Sequence, residues 1–153
     1  MEIKRALLLA AGMGTRMGNI GKILPKVLWP VFERTLLELQ IKYLKSIGIE
    51  EIYINTHHCH EQIKNFVKKH RKEEEEGGDD ESLFKNTFFI HEPTLLDIGG
   101  AIHNVASLKQ IDYQGFLLVV NSDQFLCSNF KLITSHLKYS HLNYSHLRYK
   151  YFR

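Results

Sequence analysis

The chain has 153 residues, of which 44% are hydrophobic and 24% are charged. This length suits one domain, and this composition excludes a fibrous or wholly disordered protein. The longest apolar run near the start, residues 6–11, is much shorter than the ~20 residues of a membrane span, so we expect no membrane partner. Cys59 and Cys127 cannot form a disulfide scaffold, and a reduced, cytoplasmic setting is expected.

The net charge of +3 is distributed unevenly along the chain. Residues 128–153 contain basic residues and no acidic one, and all seventeen acidic residues lie in residues 1–127. A nucleic-acid-binding domain is expected to carry a basic patch on its folded face. We therefore expect a domain at residues 1–127, a basic, repetitive tail at residues 128–153, and no nucleic-acid partner.

The tail contains a repeat of Ser-His-Leu-x-Tyr at residues 135–139, 140–144 and 145–149. A period of five matches neither a helix nor a strand, so one apolar face cannot continue through it. Repeated histidines also occur in metal-binding tracts. We interpret the tail as the weakly ordered end of a truncated or frame-shifted product.

Strand and helix patterns alternate along the rest of the chain. The predicted strands lie at residues 3–10, 52–55, 87–91 and 115–120. Three helices are predicted. The first begins at the capping box of Thr35 and Glu38, the second includes residues 63–67, and the third begins near Gly99 or Gly100. Residues 73–82 are predicted to be an acidic, solvated loop. This alternation predicts an α/β fold with a Rossmann-like, mostly parallel sheet and flanking helices.

A glycine-rich segment, residues 11–18 (the glycine loop), follows the first predicted strand. Gly12 and Gly14 allow the backbone to approach a ligand closely, as phosphate-binding loops do. The segment is not the dinucleotide fingerprint, because Met17 occupies the position of its third glycine. It is not the ATPase loop either, because Ile23 stands where that motif needs Ser or Thr.

Arg16 lies within the glycine loop, and Lys26 follows Pro25 shortly after it. Two cations beside a glycine-rich backbone favour a site for phosphate oxygens over two unrelated surface charges.

Residues 9–17, followed by Pro25-Lys26 and Pro30, resemble the signature loop of the sugar-1-phosphate nucleotidylyltransferases, also called nucleotide-sugar pyrophosphorylases. Further similar segments follow in that family's order at residues 36–38, 48–49, 54–58, 61–63, 92–93, 99–102 and 120–123. The resemblance covers about residues 3–126, apart from the acidic loop.

The resemblance implies a fold of the nucleotide-diphospho-sugar transferase type. It also implies transfer of a nucleoside monophosphate from a nucleoside triphosphate to a sugar 1-phosphate, with release of pyrophosphate. Arg16 and Lys26 would act at the reacting phosphates, and Asp123 would bind Mg²⁺. The nucleotide-binding residues carried over by position are Ala11, Gly12, Met13, Gly14, Thr15, Gly99 and Gly100.

The sequence departs from the family pattern at several points. Ile98 stands where the family has Thr or a small polar residue, and Ser122 occupies the centre of its Asn-Gly-Asp motif. The family's second metal ligand and its sugar-binding half come after the position of Asp123, where this chain has the repeats. An alternative hypothesis is therefore a nucleotide-binding remnant with weak or no turnover. The base, the sugar and the oligomeric state are left open.

Residues 57–60, His-His-Cys-His, allow two interpretations. Adjacent side chains on a strand point to opposite faces, which disfavours a shared zinc ion unless the backbone turns there. The resemblance accounts for the segment as a strand-to-helix junction.

Overall fold

The computed structural model describes residues 3–76, 82–107, 116–126 and 149–151. The strands are β1 (Arg5–Leu9), β2 (Pro30–Val31), β3 (Arg34–Thr35), β4 (Glu51–Thr56), β5 (Thr87–His91), β6 (Leu117–Asn121) and β7 (Tyr149–Tyr151). The helices are α1 (Gly18–Ile23), α2 (Leu36–Ser46), α3 (His60–Glu76) and α4 (Asp97–Ser107). Single 3-10 turns lie at Thr15–Met17 and Lys26–Leu28.

The main sheet has the strand order β5-β4-β1-β6-β7, and every neighbouring pair is parallel. Leu9 at the end of β1 is in register with Asn55 of β4 and with Asn121 of β6. In chain order, β4 and β5 follow on one side of β1, and β6 then lies on its other side. The strand order therefore reverses between β1 and β6, which is where parallel α/β sheets form their ligand crevice.

Helices cover both faces of this sheet, because its central strands are apolar on both sides. On one face, Ala6 and Leu8 of β1 pack in a core with residues of α2 and α3 such as Ile41 and Ile63. On the other face, Leu7 packs in a second core with α4 residues, including Ile102. The alternation of neighbouring β1 residues between the two cores explains the continuous apolar run in the sequence.

The two ends of α2 are set by residues next to the helix. Thr35 Oγ1 accepts a hydrogen bond from the Glu38 backbone N–H (3.3 Å), and the Glu38 carboxylate accepts one from the Thr35 N–H (2.7 Å). Gly48, just beyond the helix, has a φ of +93°, which glycine adopts without strain. The predicted capping box is confirmed, and Gly48 ends the helix.

The acidic segment was predicted to be a loop from residue 73, but α3 continues to Glu76. Lys69 Nζ lies 3.6 Å from Oε1 of Glu73, one helical turn later. The Glu74 carboxylate accepts hydrogen bonds from Ser82 Oγ and the Leu83 N–H. These contacts stabilise a last helical turn in which neighbouring acidic side chains repel one another. Residues 77–81 lie outside the described residues.

Part of the basic tail also departs from expectation. β7 pairs with β6, with Tyr149 in register with Leu117 and Tyr151 with Val119. The exposed edge of β6 offers unpaired backbone groups, which any extended segment can satisfy whatever its side-chain period. Tyr149–Tyr151 thus form a strand although the repeat lacks the period of a strand, and the rest of the repeats lies outside the described residues. The weak ordering of the tail stays a prediction.

Within the described ranges, no helix is both long enough and apolar enough to cross a membrane.

Candidate functional site

A cavity of about 230 Å³ opens at the carboxyl ends of β1 and β6, at the point where the strand order reverses. Its walls come from the glycine loop, from the 3-10 turn at Lys26–Leu28, and from residues 121–123 at the end of β6. The predicted site residues that line it are Gly12, Met13, Gly14, Thr15, Arg16, Lys26 and Asp123. The structure therefore brings together side chains from segments about a hundred positions apart.

The glycine loop turns sharply at Gly14, which has a φ of +63° and begins the 3-10 turn at Thr15–Met17. Gly21 of α1 packs directly against this turn. A Cβ atom added to Gly21 would lie 2.1 Å from the Gly14 carbonyl oxygen, which is too close for a side chain. A side chain at position 21 would thus displace the loop. No motif or spacing in the sequence indicates this contact.

The two predicted cations reach the cavity from different turns. Arg16 is exposed on the 3-10 turn at Thr15–Met17, and Lys26 begins the next 3-10 turn after Pro25. Lys26 Nζ lies 3.3 Å from Asp123 Oδ2, and the two side chains are 29% and 47% exposed. Both partners of this ion pair are therefore accessible to a charged ligand.

Two side chains hold residues 121–124, which we call the Asp123 turn, in place. Neither of them was predicted from the sequence to do so. Ser122 Oγ donates a hydrogen bond to the Leu9 carbonyl (2.6 Å), which ties the end of β6 to the end of β1. The buried Gln40 of α2 donates to the carbonyls of Asn121 (3.2 Å) and Gln124 (2.8 Å). Ser122 thus has a structural role at the centre of the motif where the resembled family has Gly.

A third predicted group of residues does not line the cavity. Ala11, the first residue of the glycine loop, is buried, with 5% of its surface exposed. Gly99 and Gly100 lie in the first turn of α4, after the edge strand β5, and are separate from the cavity. Their assignment to the nucleotide remains a prediction.

The histidine-rich segment 57–60 forms the junction between β4 and α3. His57 Nδ1 donates to the Glu92 carbonyl and His58 Nε2 donates to the Lys22 carbonyl, each at 2.7 Å. His60 Nδ1 lies 2.7 Å from Thr56 Oγ1. The described part of the chain contains no group of three or more His, Cys, Asp or Glu side chains suited to a metal ion.

Two groups of this junction have shifted pKa values. Burial lowers the pKa of His60, and the neighbouring imidazole of His91, with ring centroids 4.4 Å apart, lowers it further. Burial raises the pKa of the Cys59 thiol, which disfavours the reactive thiolate. Neither group lines the cavity.

Relatives of known function resemble much of the chain. D-glycero-alpha-D-manno-heptose 1-phosphate guanylyltransferase of Campylobacter jejuni is 31% identical over 121 residues, which make up 79% of this chain and 48% of that protein. UTP--glucose-1-phosphate uridylyltransferase of Synechocystis is 26% identical over 110 residues, 70% of this chain and 26% of that protein. The chain thus spans less than half the length of these curated relatives.

A solved structure confirms the predicted fold. HddC from Yersinia pseudotuberculosis, solved in complex with GMP-PN, matches with a TM-score of 0.69 and 22% identity, over 88% of this chain and 54% of that one. The structural neighbours are nucleotide-diphospho-sugar transferases, as the sequence resemblance implied. The model of the MobA-like NTP transferase domain matches residues 6–79, which include β1, the glycine loop and Lys26. Residues 6–79 of this chain are therefore similar to the MobA-like NTP transferase domain.

Proposed function

We propose that the cavity binds the triphosphate of a nucleoside triphosphate and that this chain supplies the nucleotide-binding half of a sugar-1-phosphate nucleotidyltransferase. The observation that carries the proposal is the convergence of the glycine loop, Arg16, Lys26 and Asp123 on one cavity at the sheet's switch point.

The size and charge of the cavity suit a phosphate chain. Its volume of about 230 Å³ is below the roughly 300–1,000 Å³ of pockets that enclose drug-sized ligands. Arg16 and Lys26 outnumber the one carboxylate, Asp123, among the residues that line it. The guanidinium of Arg16 can bind two phosphate oxygens at once, and Lys26 supplies a point charge.

Asp123 fits a magnesium ion that arrives with the nucleotide. Mg²⁺ prefers hard oxygen ligands, keeps several waters, and is commonly held by one or two carboxylates together with substrate phosphates. The Asp123 side chain is 47% exposed at the cavity, so a hydrated ion can reach its oxygens. Bound there, Mg²⁺ would neutralise phosphate charge.

In the proposed reaction, an oxygen of the sugar 1-phosphate attacks the α-phosphorus of the triphosphate and pyrophosphate leaves. This step needs no protein nucleophile, so the chain's contribution is to hold the phosphates in line and to neutralise their charge. Arg16 and Lys26 would do so at the phosphate oxygens. The names of the relatives, a heptose 1-phosphate guanylyltransferase and a glucose-1-phosphate uridylyltransferase, support this reaction class.

A second candidate function is nucleotide binding with weak or no turnover. It is favoured by the donor set, because Asp123 is the single carboxylate among the residues lining the described cavity. One ligand leaves the position of a metal ion loosely defined, since Mg²⁺ requires near-octahedral geometry.

A cytoplasmic setting is part of the proposal. Cys59 is a free, half-buried thiol, which suits a reducing compartment. We also propose that the chain has no nucleic-acid partner, because all its acidic residues fall within residues 1–127 and leave the body slightly acidic.

The experiment that tests the proposal is calorimetric titration of ATP, CTP, GTP and UTP into the full chain, with and without Mg²⁺. Replacing Arg16 with Ala should weaken binding about 10- to 100-fold, the value of a hydrogen-bonded charge contact. Arg34→Ala is the matched control, because Arg34 is also exposed but lies in β3, outside the cavity.

Equal affinities for the wild type and Arg16→Ala would remove Arg16 from the site. Absence of binding for all four triphosphates would overturn the proposed function itself.

A further inference from the structure

We infer that Asn55 and Glu92 form a buried positioning pair that fixes the start of the glycine loop to the segment between β5 and α4. The inference rests on the proposed function for its effect on ligand binding. Its structural part concerns the backbone N–H of Ala10, which can be observed without a ligand.

Asn55 lies at the end of β4 and is 3% exposed. Its Oδ1 accepts a hydrogen bond from the Ala10 N–H (2.7 Å), and its Nδ2 donates one to Glu92 Oε1 (2.9 Å). The orientation of the amide is fixed by its partners, because a backbone N–H can only donate and a carboxylate oxygen accepts. Asn55 therefore links Glu92 to the Ala10 backbone through two hydrogen bonds.

Glu92 is completely buried, directly after β5. Its Oε2 accepts from the Leu96 N–H (3.2 Å), so each carboxylate oxygen has a donor. Its backbone is held too, by a bond from its N–H to the Thr56 carbonyl and by the bond from His57 Nδ1 to its own carbonyl, each 2.7 Å. A buried carboxylate costs much free energy unless it is hydrogen-bonded, and here the carboxylate and backbone together make four hydrogen bonds.

The pair connects two segments that the sequence assigned separately to the nucleotide. Ala10 lines the cavity and leads into the glycine loop, whereas Leu96 immediately precedes the first turn of α4 with Gly99 and Gly100. Glu92 itself does not line the cavity. It acts on the loop only through Asn55, which makes both residues positioning residues.

Glu92→Gln is the sharpest substitution, because it preserves the shape and replaces one oxygen with an N–H₂ donor. That donor must face either the Leu96 N–H or Asn55 Nδ2, and both of these groups are donors. If the Asn55 amide rotates to accept from it, the conflict moves to the Ala10 N–H. Asn55→Asp is a second variant that keeps the acceptor for Ala10 and removes the donor to Glu92.

The matched control is Glu51→Gln. Glu51 lies at the amino end of β4, accepts from Arg5 and Tyr53, and is outside the cavity. The same chemical change is thereby made at the opposite end of the strand that carries Asn55.

Two measurements test the pair: calorimetric titration with inorganic tripolyphosphate, and the ¹⁵N–¹H spectrum of the ligand-free chain. Glu92→Gln should weaken tripolyphosphate binding about fivefold or more, in line with one unsatisfied buried group, and should shift the Ala10 amide resonance. Asn55→Asp should weaken binding in the same direction, and Glu51→Gln should change neither observable.

The inference would be overturned by a folded Glu92→Gln chain whose tripolyphosphate affinity and Ala10 resonance are both unchanged, even if its Tm were lower. If Glu92→Gln does not fold, Asn55→Asp decides by the same two observables. If the wild type does not bind tripolyphosphate, the proposed function fails, and the Ala10 resonance alone decides whether the pair positions the loop.

Discussion

Lys26 Nζ and Asp123 Oδ2 lie 3.3 Å apart across the cavity, although the two residues are 97 positions apart in the chain. Because both side chains are partly exposed, the pair contributes little stability and can open when a more highly charged ligand arrives. A triphosphate would take Lys26, and Asp123 would then be free for a cation.

This arrangement predicts that Mg²⁺ changes the effect of a substitution at Asp123 but not the direction of the effect of one at Lys26. Without Mg²⁺, Asp123→Asn should bind a triphosphate about two- to fivefold more tightly than the wild type, because a like charge is removed and Lys26 is released. With Mg²⁺ this advantage should disappear. Lys26→Met should bind more weakly in both conditions, as measured by calorimetry in EDTA and in Mg²⁺.

Glu50→Gln is the control for this pair, because Glu50 is an exposed carboxylate paired with Lys4 at the other end of the sheet. If Asp123→Asn gained as much affinity from Mg²⁺ as the wild type, Asp123 would not be a metal ligand.

Gln40→Met should separate anchoring of the Asp123 turn from core packing. It removes the donor to the Asn121 and Gln124 carbonyls, and it also removes Oε1, which is buried without a hydrogen-bond partner among the described residues. We expect a loss of about 1–2 kcal/mol of stability and a weaker gain in triphosphate affinity on adding Mg²⁺.

Ile41→Met is the matched control on the same helix, since Ile41 is buried in the core and does not line the cavity. Thermal unfolding and calorimetry would be compared for both variants. A Gln40→Met chain that loses stability but responds fully to Mg²⁺ would show that the amide serves packing alone.

His60 predicts a fall in stability on acidification. Burial and the neighbouring His91 lower its pKa in the folded state below the ordinary 6.5, so protonation favours the unfolded chain. Its contribution to the free energy of unfolding is complete above about pH 6.5 and is lost as the pH falls below that value towards the folded pKa. Glu61, 3.6 Å away, opposes the shift, and Lys64 adds to it.

Denaturant unfolding of the wild type and His60→Gln between pH 8 and pH 5 measures this contribution. The variant should lose less stability on acidification than the wild type. Parallel curves would show that His60 does not titrate differently in the two states.

The pairing of β7 with β6 changes the expected cost of removing the tail. A weakly ordered tail would cost little stability when residues 134–153 are deleted, whereas β7 satisfies part of the edge of β6. Ending the chain at residue 148 should remove a few backbone hydrogen bonds, worth about 1–3 kcal/mol, and lower the Tm by roughly 3–9 °C. Lys150→Ala, which keeps the backbone, should leave the Tm nearly unchanged, and an unchanged Tm in the shortened chain would mean that β7 adds no stability.

Turnover by this chain is predicted to be slower than about 1 s⁻¹, the lower end of ordinary enzymes. The cavity offers one carboxylate, and each missing electrostatic contact in a transition state can cost ~10²–10³-fold in rate. Pyrophosphate release would be followed with a panel of triphosphates and sugar 1-phosphates in Mg²⁺. Faster turnover that Asp123→Ala abolishes would show a complete active site.

Sequence patterns determined the elements of this protein because the signals that define them are local. The apolar run of β1, the Thr35–Glu38 capping box and the glycine loop each depend on neighbours within a few positions, and the fold they predicted is the one observed. The glycine loop, Arg16 and Lys26 could likewise be chosen as site candidates, because they lie within one short stretch.

Only the tertiary structure decided how these candidates meet and what holds them. The order of the strands places Asp123 beside Lys26, and separate buried amides bind the two edges of the cavity: Asn55 at Ala10, and Gln40 at the Asp123 turn. The partners of these amides are between 37 and 84 positions away, and no periodicity or spacing in the sequence records such contacts. Parallel strands bring distant chain segments to one edge, so the groups that position the site become neighbours only when the sheet forms.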